Sequence, residues 1–211
     1  FPYTTLFRSS APSRKLIEEE IDEDSILICA DGGANCLYEY KIIPDYLIGD
    51  FDSIDKDVLT FFKSKKCPID TYPRTKDFTD TEIAVEKCLE LKADQIIMLA
   101  CTGSRIDHVL ANLGMLLKCN RSGAKAYIKD EHNTIELLCN TTTIKGYPGE
   151  TFSLHAYCNV VKNLNIIGAK YKLSNYDLAL GDARTVSNEF IKDEARIVFD
   201  SGMLLCMYSK D

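Results

Sequence analysis

Hydrophobic positions in residues 13 to 130 alternate between short apolar runs and longer amphipathic stretches. The apolar runs predict strands, at Ile26–Ala30, Tyr46–Ile48, Ile96–Cys101 and Ala126–Ile128. The amphipathic stretches predict helices, at Arg14–Ile21, Ala34–Tyr40, Lys56–Lys63, Asp80–Leu91 and Asp107–Cys119. Strands that alternate with helices are typical of a parallel sheet covered by helices on both faces. We therefore predict an α/β domain over residues 1–130.

Beyond about residue 133 the helical period is lost, and short β-rich segments follow one another. These segments are Thr134–Cys139, Thr151–Cys158, Val160–Ile167, Arg196–Phe199 and Met203–Tyr208. Turn residues separate them, and Asp200-Ser201-Gly202 predicts a hairpin between the last two. A block of this size indicates a small antiparallel β-sandwich. The second predicted domain covers residues 131–211.

The first twelve residues fit this architecture poorly. A sheet of this kind usually opens with a buried strand and a glycine-bearing turn, whereas Arg8-Ser9-Ser10 stands where the glycine is expected. We therefore expect residues 1–12 not to be native to the fold and to pack loosely. The alternative is that Tyr3–Phe7 supplies the first strand.

Composition excludes several classes of function. The 211 residues carry 25 Lys and Arg against 32 Asp and Glu, and the resulting net charge of −7 disfavours binding to nucleic acid or anionic lipid. No apolar run is long enough to cross a bilayer. The nine cysteines form no C-x-x-C pair, so zinc sites and disulfide frameworks lack their spacing. With no signal-peptide pattern either, we expect reduced thiols in a cytoplasmic protein.

Acidic and glycine-rich loops follow the predicted strands, which is where ligands bind in an open α/β sheet. Asp31-Gly32-Gly33 follows one strand, and Asp50-Phe51-Asp52 follows the next after Gly49. A third strand is followed by Thr102-Gly103-Ser104-Arg105 and then by Asp107. Since the carboxyl ends of parallel strands meet at one edge of the sheet, we expect these residues to lie together there.

The pair Asp50 and Asp52 places two carboxylates one residue apart in a loop, where both can reach a single hard cation. Mg²⁺ binds through a few carboxylates, several waters and substrate phosphates, and an acidic rim supplies such ligands. An isolated pair of this kind more often caps a helix or faces water. The further aspartates Asp31, Asp80 and Asp107 on the same rim favour a magnesium site.

The segment from Thr102 to Arg105 predicts a phosphate-binding loop. Gly103 lets the backbone approach a phosphate closely, and the helix that begins near Asp107 presents free N–H groups. Arg105 can pair with phosphate oxygens. Taken alone, the same residues are explained equally well by an ordinary turn between a strand and a helix.

Two cations, Arg74 and Lys76, precede the helix predicted at Asp80 and suit an anionic ligand. Helix capping by Thr79 explains neither of them. The sequence contains neither G-x-x-x-x-G-K-[ST] nor G-x-G-x-x-G, so neither a P-loop kinase nor a Rossmann dehydrogenase is indicated.

Taken in order, the motifs resemble those of the thiamine pyrophosphokinase family. They are Ala30–Asn35, Pro44–Ser53, Lys76–Glu82, Thr102–His108, Leu110–Leu113 and Val186–Phe190. The resemblance covers about residues 13 to 211 and implies an α/β domain, a C-terminal β-sandwich and a homodimer with active sites between subunits. The implied reaction transfers diphosphate from ATP to the hydroxyl of thiamine and releases AMP.

The resemblance also implies roles for particular residues. Mg²⁺ would be held by Asp50, Asp52 and Asp80, and the catalytic set adds Arg105 and Asp107. The residues matched to the ATP site are Asp31, Gly32, Gly33, Lys76, Thr102, Gly103, Ser104, Arg105 and Asn112. Ser187 and Asn188 would line the thiamine site across the dimer. The sequence leaves open which aspartate accepts the alcohol proton, and which Tyr or Phe stacks on thiamine in a chain without Trp.

Two other functions stay open. A nucleotide-sugar transferase also chelates metal through a D-x-D pair, but that function leaves Ser187–Phe190 and Thr102–Asp107 unexplained. A non-catalytic sensor of thiamine or nucleotide would not need so many aspartates. A reaction of the pure protein with ATP, magnesium and thiamine distinguishes these functions.

Overall fold

The computed structural model describes residues 2–6, 11–73 and 78–210, and the chain divides into two compact units, Phe1–Glu131 and His132–Asp211. The described strands of the first unit are β1 (Pro2–Leu6), β2 (Ile26–Ala30), β3 (Tyr46–Gly49), β4 (Ile69–Thr71), β5 (Gln95–Leu99) and β6 (Lys125–Lys129). Its described helices are α1 (Arg14–Glu19), α2 (Gly33–Tyr40), α3 (Lys56–Ser64), α4 (Asp80–Glu90) and α5 (Ile106–Arg121). Among the described residues, no helix has the length and apolar content of a membrane span.

The six described strands of this unit run parallel in the order β6-β5-β1-β2-β3-β4. Strand β1 lies inside the sheet, because Pro2–Leu6 pairs with β5 on one side and with β2 on the other. The expectation that residues 1–12 do not belong to the fold is therefore wrong for Pro2–Leu6. Its aromatic and β-branched residues favour a strand whether or not a glycine turn follows. Residue 1 and residues 7–10 lie outside the described residues.

The strand order reverses between β1 and β5, because the chain continues from β1 through β2, β3 and β4 and then crosses to β5 on the other side. Such a reversal leaves a crevice outside the carboxyl ends of the strands. The helices are fixed against the sheet by apolar side chains, with Ile17, Leu37 and Phe62 fully buried in one cluster with Leu47 and Leu99. The crevice therefore lies at the edge of a well-packed sheet.

Helix starts and strand ends set the positions of the rim residues. Thr79 caps α4, since its hydroxyl oxygen accepts a hydrogen bond from the backbone N–H of Glu82 at 3.2 Å. Strand β5 ends at Leu99 rather than at Cys101, because Ala100 takes a left-handed backbone conformation with φ of 56°. The segment that was predicted to complete this strand belongs instead to the loop.

The second unit is built from antiparallel strands. They are β7 (Asn133–Leu138), β8 (Thr142–Lys145), β9 (Thr151–Ala156), β10 (Val160–Ile167), β11 (Leu173–Ala179), β12 (Asn188–Glu189), β13 (Glu194–Val198) and β14 (Leu204–Ser209). Within residues 132–210 they pair as β12-β9-β14-β7 and as β11-β10-β13-β8. Both groups contribute to one core, which contains Phe152, Leu164, Phe190 and Leu204. The predicted fold class, α/β followed by an antiparallel sandwich, is confirmed.

The predicted hairpin at Asp200-Ser201-Gly202 is wrong. Strand β13 pairs with β8 and β10, whereas β14 pairs with β7 and β9, so this segment connects two different sheets. Gly202 has a φ of 112°, and a Cβ atom there would lie 2.9 Å from Cα of Val161. The glycine therefore serves a close approach of two backbones rather than a tight hairpin turn.

Candidate active site

Three strands of the parallel sheet are followed closely by non-glycine residues with left-handed backbone. These residues are Asp31 after β2, Phe51 after β3 and Ala100 after β5, with φ values of 42°, 60° and 56°. Each such conformation costs about 1–3 kcal/mol and persists only where the surrounding structure holds it. Strain of this kind concentrates at functional sites, and here it turns the chain sharply at the carboxyl edge of the sheet.

Asp31 is held against the neighbouring strand. Its backbone N–H donates to the carbonyl oxygen of Ile48 at 2.8 Å, and its own carbonyl oxygen accepts from Ala34 at the start of α2. Gly49 has a φ of 150°, and a Cβ atom there would lie 3.2 Å from Cα of Asp31. Of the predicted glycines, Gly32 is the N-cap of α2 and Gly33 is its buried first residue.

The carboxylates of Asp31, Asp50 and Asp52 form a cluster in which one oxygen from each lies within 4.8 Å of the others. Asp31 is 3% exposed, and its Oδ2 accepts a hydrogen bond from the hydroxyl of Ser53. Its Oδ1 is buried and has no hydrogen-bond partner among the described residues. A buried oxygen without a partner is costly, and three neighbouring carboxylates repel one another. A hard divalent cation relieves both costs, so this oxygen-only donor set fits Mg²⁺.

A cleft of about 540 Å³ opens at this edge of the sheet, a volume within the range of pockets that bind small molecules. Its lining residues are Ala30, Asp31, Phe78, Thr79, Asp80, Thr81, Ala100, Ser104, Arg105, His108 and Asn112. They lie at the ends of β2 and β5, in the segments that lead into α4 and α5, and in the first two turns of these helices, next to the reversal of strand order. The cleft thus brings together five of the residues predicted from sequence, which are Asp31, Asp80, Ser104, Arg105 and Asn112.

Asp80 lies in the first turn of α4 and lines this cleft. The carboxylate that groups with those of Asp50 and Asp52, however, is that of Asp31. The third member of the cluster is therefore not the aspartate that the resemblance implies. The role of Asp80 as a metal ligand stays a prediction.

The predicted phosphate loop is held in place by two hydrogen bonds to side chains elsewhere in the first unit. The hydroxyl of Thr102 donates to Oδ2 of Asp130 at 2.5 Å, and the buried amide of Asn112 donates to the carbonyl oxygen of Cys101 at 2.8 Å. Gly103 lies between these anchors and Ser104. Arg74 and Lys76 lie outside the described residues.

Arg105 and Asp107 form an exposed ion pair at the start of α5. The guanidinium donates to both carboxylate oxygens, at 3.2 and 2.6 Å. These hydrogen bonds lower the pKa of Asp107 and raise that of Arg105. The pair keeps the guanidinium at the N-terminus of α5, where Arg105 lines the cleft together with Ser104 and His108.

In the second unit, Ser187 and Asn188 occupy very different environments. Ser187 is exposed, has a φ of 56°, and donates its backbone N–H to Oγ of Ser153 at 2.9 Å. Asn188 is 2% exposed, and its amide binds Tyr171 on both sides. Its Oδ1 accepts from the N–H of Tyr171 at 3.0 Å, and its Nδ2 donates to the carbonyl oxygen of Tyr171 at 2.8 Å.

Sequence reasoning did not single out four residues as site candidates, namely Ser53, Phe78, His108 and Tyr171. Ser53 stands directly after the D-x-D pair, but its hydroxyl donates to Asp31, 22 residues away, so the sequence does not reveal this hydrogen bond. His108 follows Asp107 at the start of a helix, and nothing in the sequence indicates that it lines the cleft. Tyr171 is 59% exposed, and it is marked by its hydrogen bonds with Asn188 and by the ammonium of Lys170, which lies 5.7 Å from the centre of its ring.

Comparison with known proteins gives matches along both units. The model of the thiamin pyrophosphokinase catalytic domain matches residues 17–128, and that of the thiamin pyrophosphokinase vitamin B1 binding domain matches residues 141–204. Thiamine pyrophosphokinase of Bacillus subtilis (strain 168) is 30% identical over 200 residues, which are 90% of each chain. The crystal structure of thiamine pyrophosphokinase from Bacillus subtilis has a TM-score of 0.91 at 27% identity and covers 100% of both chains. That of thiamin pyrophosphokinase from Geobacillus thermodenitrificans has a TM-score of 0.85 at 27% identity, over 100% of this chain and 97% of that one.

Proposed function

The chain belongs to the thiamin pyrophosphokinase family, and on that premise we propose that it transfers diphosphate from ATP to the hydroxyl of thiamine, giving thiamine diphosphate and AMP. The observation that carries the proposal is the cleft at the strand reversal, whose lining includes a buried carboxylate of a three-aspartate cluster together with Ser104 and Arg105. A nucleotide-sugar transferase and a non-catalytic sensor are disfavoured, because neither accounts for a match to both family models.

Mg²⁺ is part of this proposal. Asp31, Asp50 and Asp52 would hold it, and the buried Oδ1 of Asp31, with no partner among the described residues, supports that assignment. Asp80 lines the same cleft and is a further candidate ligand. When bound, the cation neutralises charge that develops on the phosphate oxygens of ATP.

The residues around the cleft are proposed to bind and orient ATP. Ser104 and Gly103 would offer backbone N–H groups to phosphate oxygens at the start of α5. Arg105 would stabilise the charge that develops on the α-phosphate as AMP leaves, and Asp107 would hold its guanidinium in place. The attacking hydroxyl must lie in line with the departing oxygen, so catalysis depends mainly on this positioning.

The surface around Ser187 is proposed to bind thiamine. Tyr171 presents an exposed ring while its backbone is fixed on both sides by the amide of Asn188, so it is a preorganised aromatic face. Offset stacking on such a face suits the flat pyrimidine of thiamine. The Ser187 hydroxyl supplies a polar contact beside it, and Asn188 acts by holding Tyr171.

The product analysis tests this reaction directly. Pure protein is incubated with Mg²⁺, thiamine and ATP labelled at the β-phosphorus, and the products are separated by chromatography. We expect one AMP for each thiamine diphosphate, the label in the thiamine product, and no thiamine monophosphate intermediate. ADP as the stoichiometric product would contradict the mechanism, and binding without turnover would favour a sensor.

A homodimer with active sites shared between subunits is the remaining part of the proposal. It follows from the family resemblance, which assigns Ser187 and Asn188 to the site across the subunit boundary. Analytical ultracentrifugation at assay concentrations should give the mass of a dimer. A fully active monomer would exclude a shared site.

A further inference from the structure

A bracket of hydrogen bonds connects the two loops that carry the carboxylate cluster. Asn35 on α2 uses both ends of its amide, since Nδ2 donates to the carbonyl oxygen of Ser53 at 3.2 Å and Oδ1 accepts from the N–H of Asp55 at 3.4 Å. Ser53 in turn donates its hydroxyl proton to Oδ2 of Asp31. The loop after β3 is thereby attached both to α2 and to Asp31, the residue that follows β2.

This bracket determines which oxygen of Asp31 stays available. Ser53 occupies Oδ2, and the backbone N–H of Asp31 is bonded to Ile48 at 2.8 Å. Oδ1 is then left buried, without a hydrogen-bond partner among the described residues, in a side chain that is 3% exposed. Because the backbone and one oxygen are both held, the carboxylate cannot easily turn to expose Oδ1 to water.

Neutral donors are the right chemistry for this task. Without a cation, the carboxylates of Asp31, Asp50 and Asp52 repel one another, and one oxygen from each nevertheless lies within 4.8 Å of the others. A lysine or arginine would hold them together equally well, but its positive charge would compete with a metal ion. The hydroxyl of Ser53 and the amide of Asn35 hold the geometry and add no positive charge of their own.

We propose that Ser53, supported by Asn35, is a positioning residue that directs Oδ1 of Asp31 toward a divalent cation shared with Asp50 and Asp52. The role of that cation in catalysis rests on the proposed function. The binding of the cation does not. Loss of a partner behind a metal ligand typically lowers metal affinity by about 10–100-fold.

Binding of Mn²⁺ to the full chain tests the proposal without turnover. The free Mn²⁺ signal in electron paramagnetic resonance gives the affinity, with and without an ATP analogue that has a non-cleavable bridge between its α- and β-phosphorus. We expect Ser53→Ala to weaken binding by about 10–100-fold, while Ser53→Thr, which keeps the hydroxyl, binds like the wild type. Ser25→Ala is the matched control, since Ser25 donates to Asp22 at 2.5 Å at the opposite end of β2 and should change nothing.

A double-mutant cycle separates positioning from general destabilisation. If Ser53 acts through Asp31, then Ser53→Ala should cause little further loss of Mn²⁺ affinity in an Asp31→Asn background. Asn35→Ala is a second variant that should also weaken binding, and thermal unfolding establishes that each variant is folded. Unchanged affinity in Ser53→Ala, an equal loss in both backgrounds, or no Mn²⁺ binding by the wild type would each overturn the proposal.

The same measurements distinguish this inference from the proposed function. Mn²⁺ binding that depends on Ser53, in a protein that makes no thiamine diphosphate, would uphold the inference and contradict the function. Formation of thiamine diphosphate by a protein whose Mn²⁺ affinity ignores Ser53 would do the reverse.

Discussion

Asp31 in the parallel sheet and Asn188 in the sandwich are almost equally buried, at 3% and 2% exposure, but they are bonded very differently. The amide of Asn188 makes three hydrogen bonds inside its own unit, two with the backbone of Tyr171 and one from the N–H of Glu189. Asp31 keeps one buried oxygen without a partner among the described residues. A buried polar group with all its bonds made internally stabilises a conformation, whereas one with an open oxygen is costly unless a ligand satisfies it.

The largest effect is expected from Asp31→Asn, which keeps the shape of the side chain and removes its charge. We expect kcat to fall by about 10²–10⁴-fold, since a lost ligand withdraws several kcal/mol of charge stabilisation from the transition state. The metal-free variant should unfold at the same temperature as the wild type or higher, because one of three repelling carboxylates is gone.

Steady-state kinetics at saturating Mg²⁺ and thermal unfolding without metal check the two halves of this prediction. Asp50→Asn is the companion variant, because its amide oxygen can still accept the N–H of Asp52, as Asp50 does at 3.1 Å. Near-normal turnover in both variants would mean that the carboxylate cluster is not part of the active site.

Asn188→Ala should give the opposite pattern. It leaves the N–H and carbonyl groups of Tyr171 without their partner, so we expect a loss of about 1–3 kcal/mol in the free energy of unfolding. In a chain of this size the melting temperature then falls by about 2–4 °C for each kcal/mol. Asn159→Ala, which removes an exposed amide from the same unit, is the control and should leave the melting temperature unchanged. Equal melting curves for the two variants would mean that the amide of Asn188 does not hold this loop.

Most elements of the first unit can be predicted from sequence, because the hydrophobic period and the turn residues indicate the same boundaries there. Strand β2 spans the predicted residues, whereas β4 has only three residues and β11 alternates too weakly to be recognised. Strand β1 differs from the prediction because the missing glycine turn argues against a strand that the composition of Tyr3–Phe7 favours. The Asp200–Gly202 turn shows a further limit, since turn residues do not reveal whether the flanking strands pair with each other or with distant partners.

The same limit applies to the candidate site. That Asp31, Asp50 and Asp52 approach one another follows from their positions after adjacent parallel strands. What holds them does not follow, because Ser53 lies 22 residues from Asp31 and Asp130 lies 28 residues from Thr102. Such hydrogen bonds join loops through the fold, and a single sequence carries no local signal for them. The roles of Asp80, Ser187 and Asn188 stay predictions.

A smaller effect is expected at Tyr171, the residue whose backbone is held by Asn188. If its ring stacks on thiamine, Tyr171→Ala should raise the KM for thiamine by about 2–10-fold, as expected for an aromatic contact of about 0.5–1.5 kcal/mol. Tyr171→Phe keeps the ring and should behave like the wild type, and neither change should alter the KM for ATP. Steady-state kinetics with each substrate varied in turn makes the measurement. Identical KM values for thiamine in the Ala and Phe variants would exclude stacking by this residue.

The smallest expected effect concerns Asp107, an exposed aspartate that forms an ion pair with Arg105. Arg105 donates to both of its oxygens and lowers its pKa, so the carboxylate stays ionised until the pH falls through that lowered value. A carboxyl group whose pKa is lowered by folding stabilises the fold above its unfolded pKa and ceases to do so as the pH falls through its folded pKa. Because both side chains are exposed and screened by solvent, we expect no measurable change in melting temperature at neutral pH in Asp107→Asn.

Replacement of the arginine tests the same pair from the other side. Arg105→Gln should raise the pKa of Asp107 toward the ordinary value for an aspartate, because the charged donor is lost. Carboxyl-carbon NMR titration of the two proteins measures the shift. Arg14→Gln breaks another exposed pair, with Glu18 at 2.7 Å, and should leave the titration of Asp107 where it was. A pKa of Asp107 that is the same in the wild type and in Arg105→Gln would mean that the ion pair does not form in solution, and Arg105 would then reach a phosphate without help from Asp107.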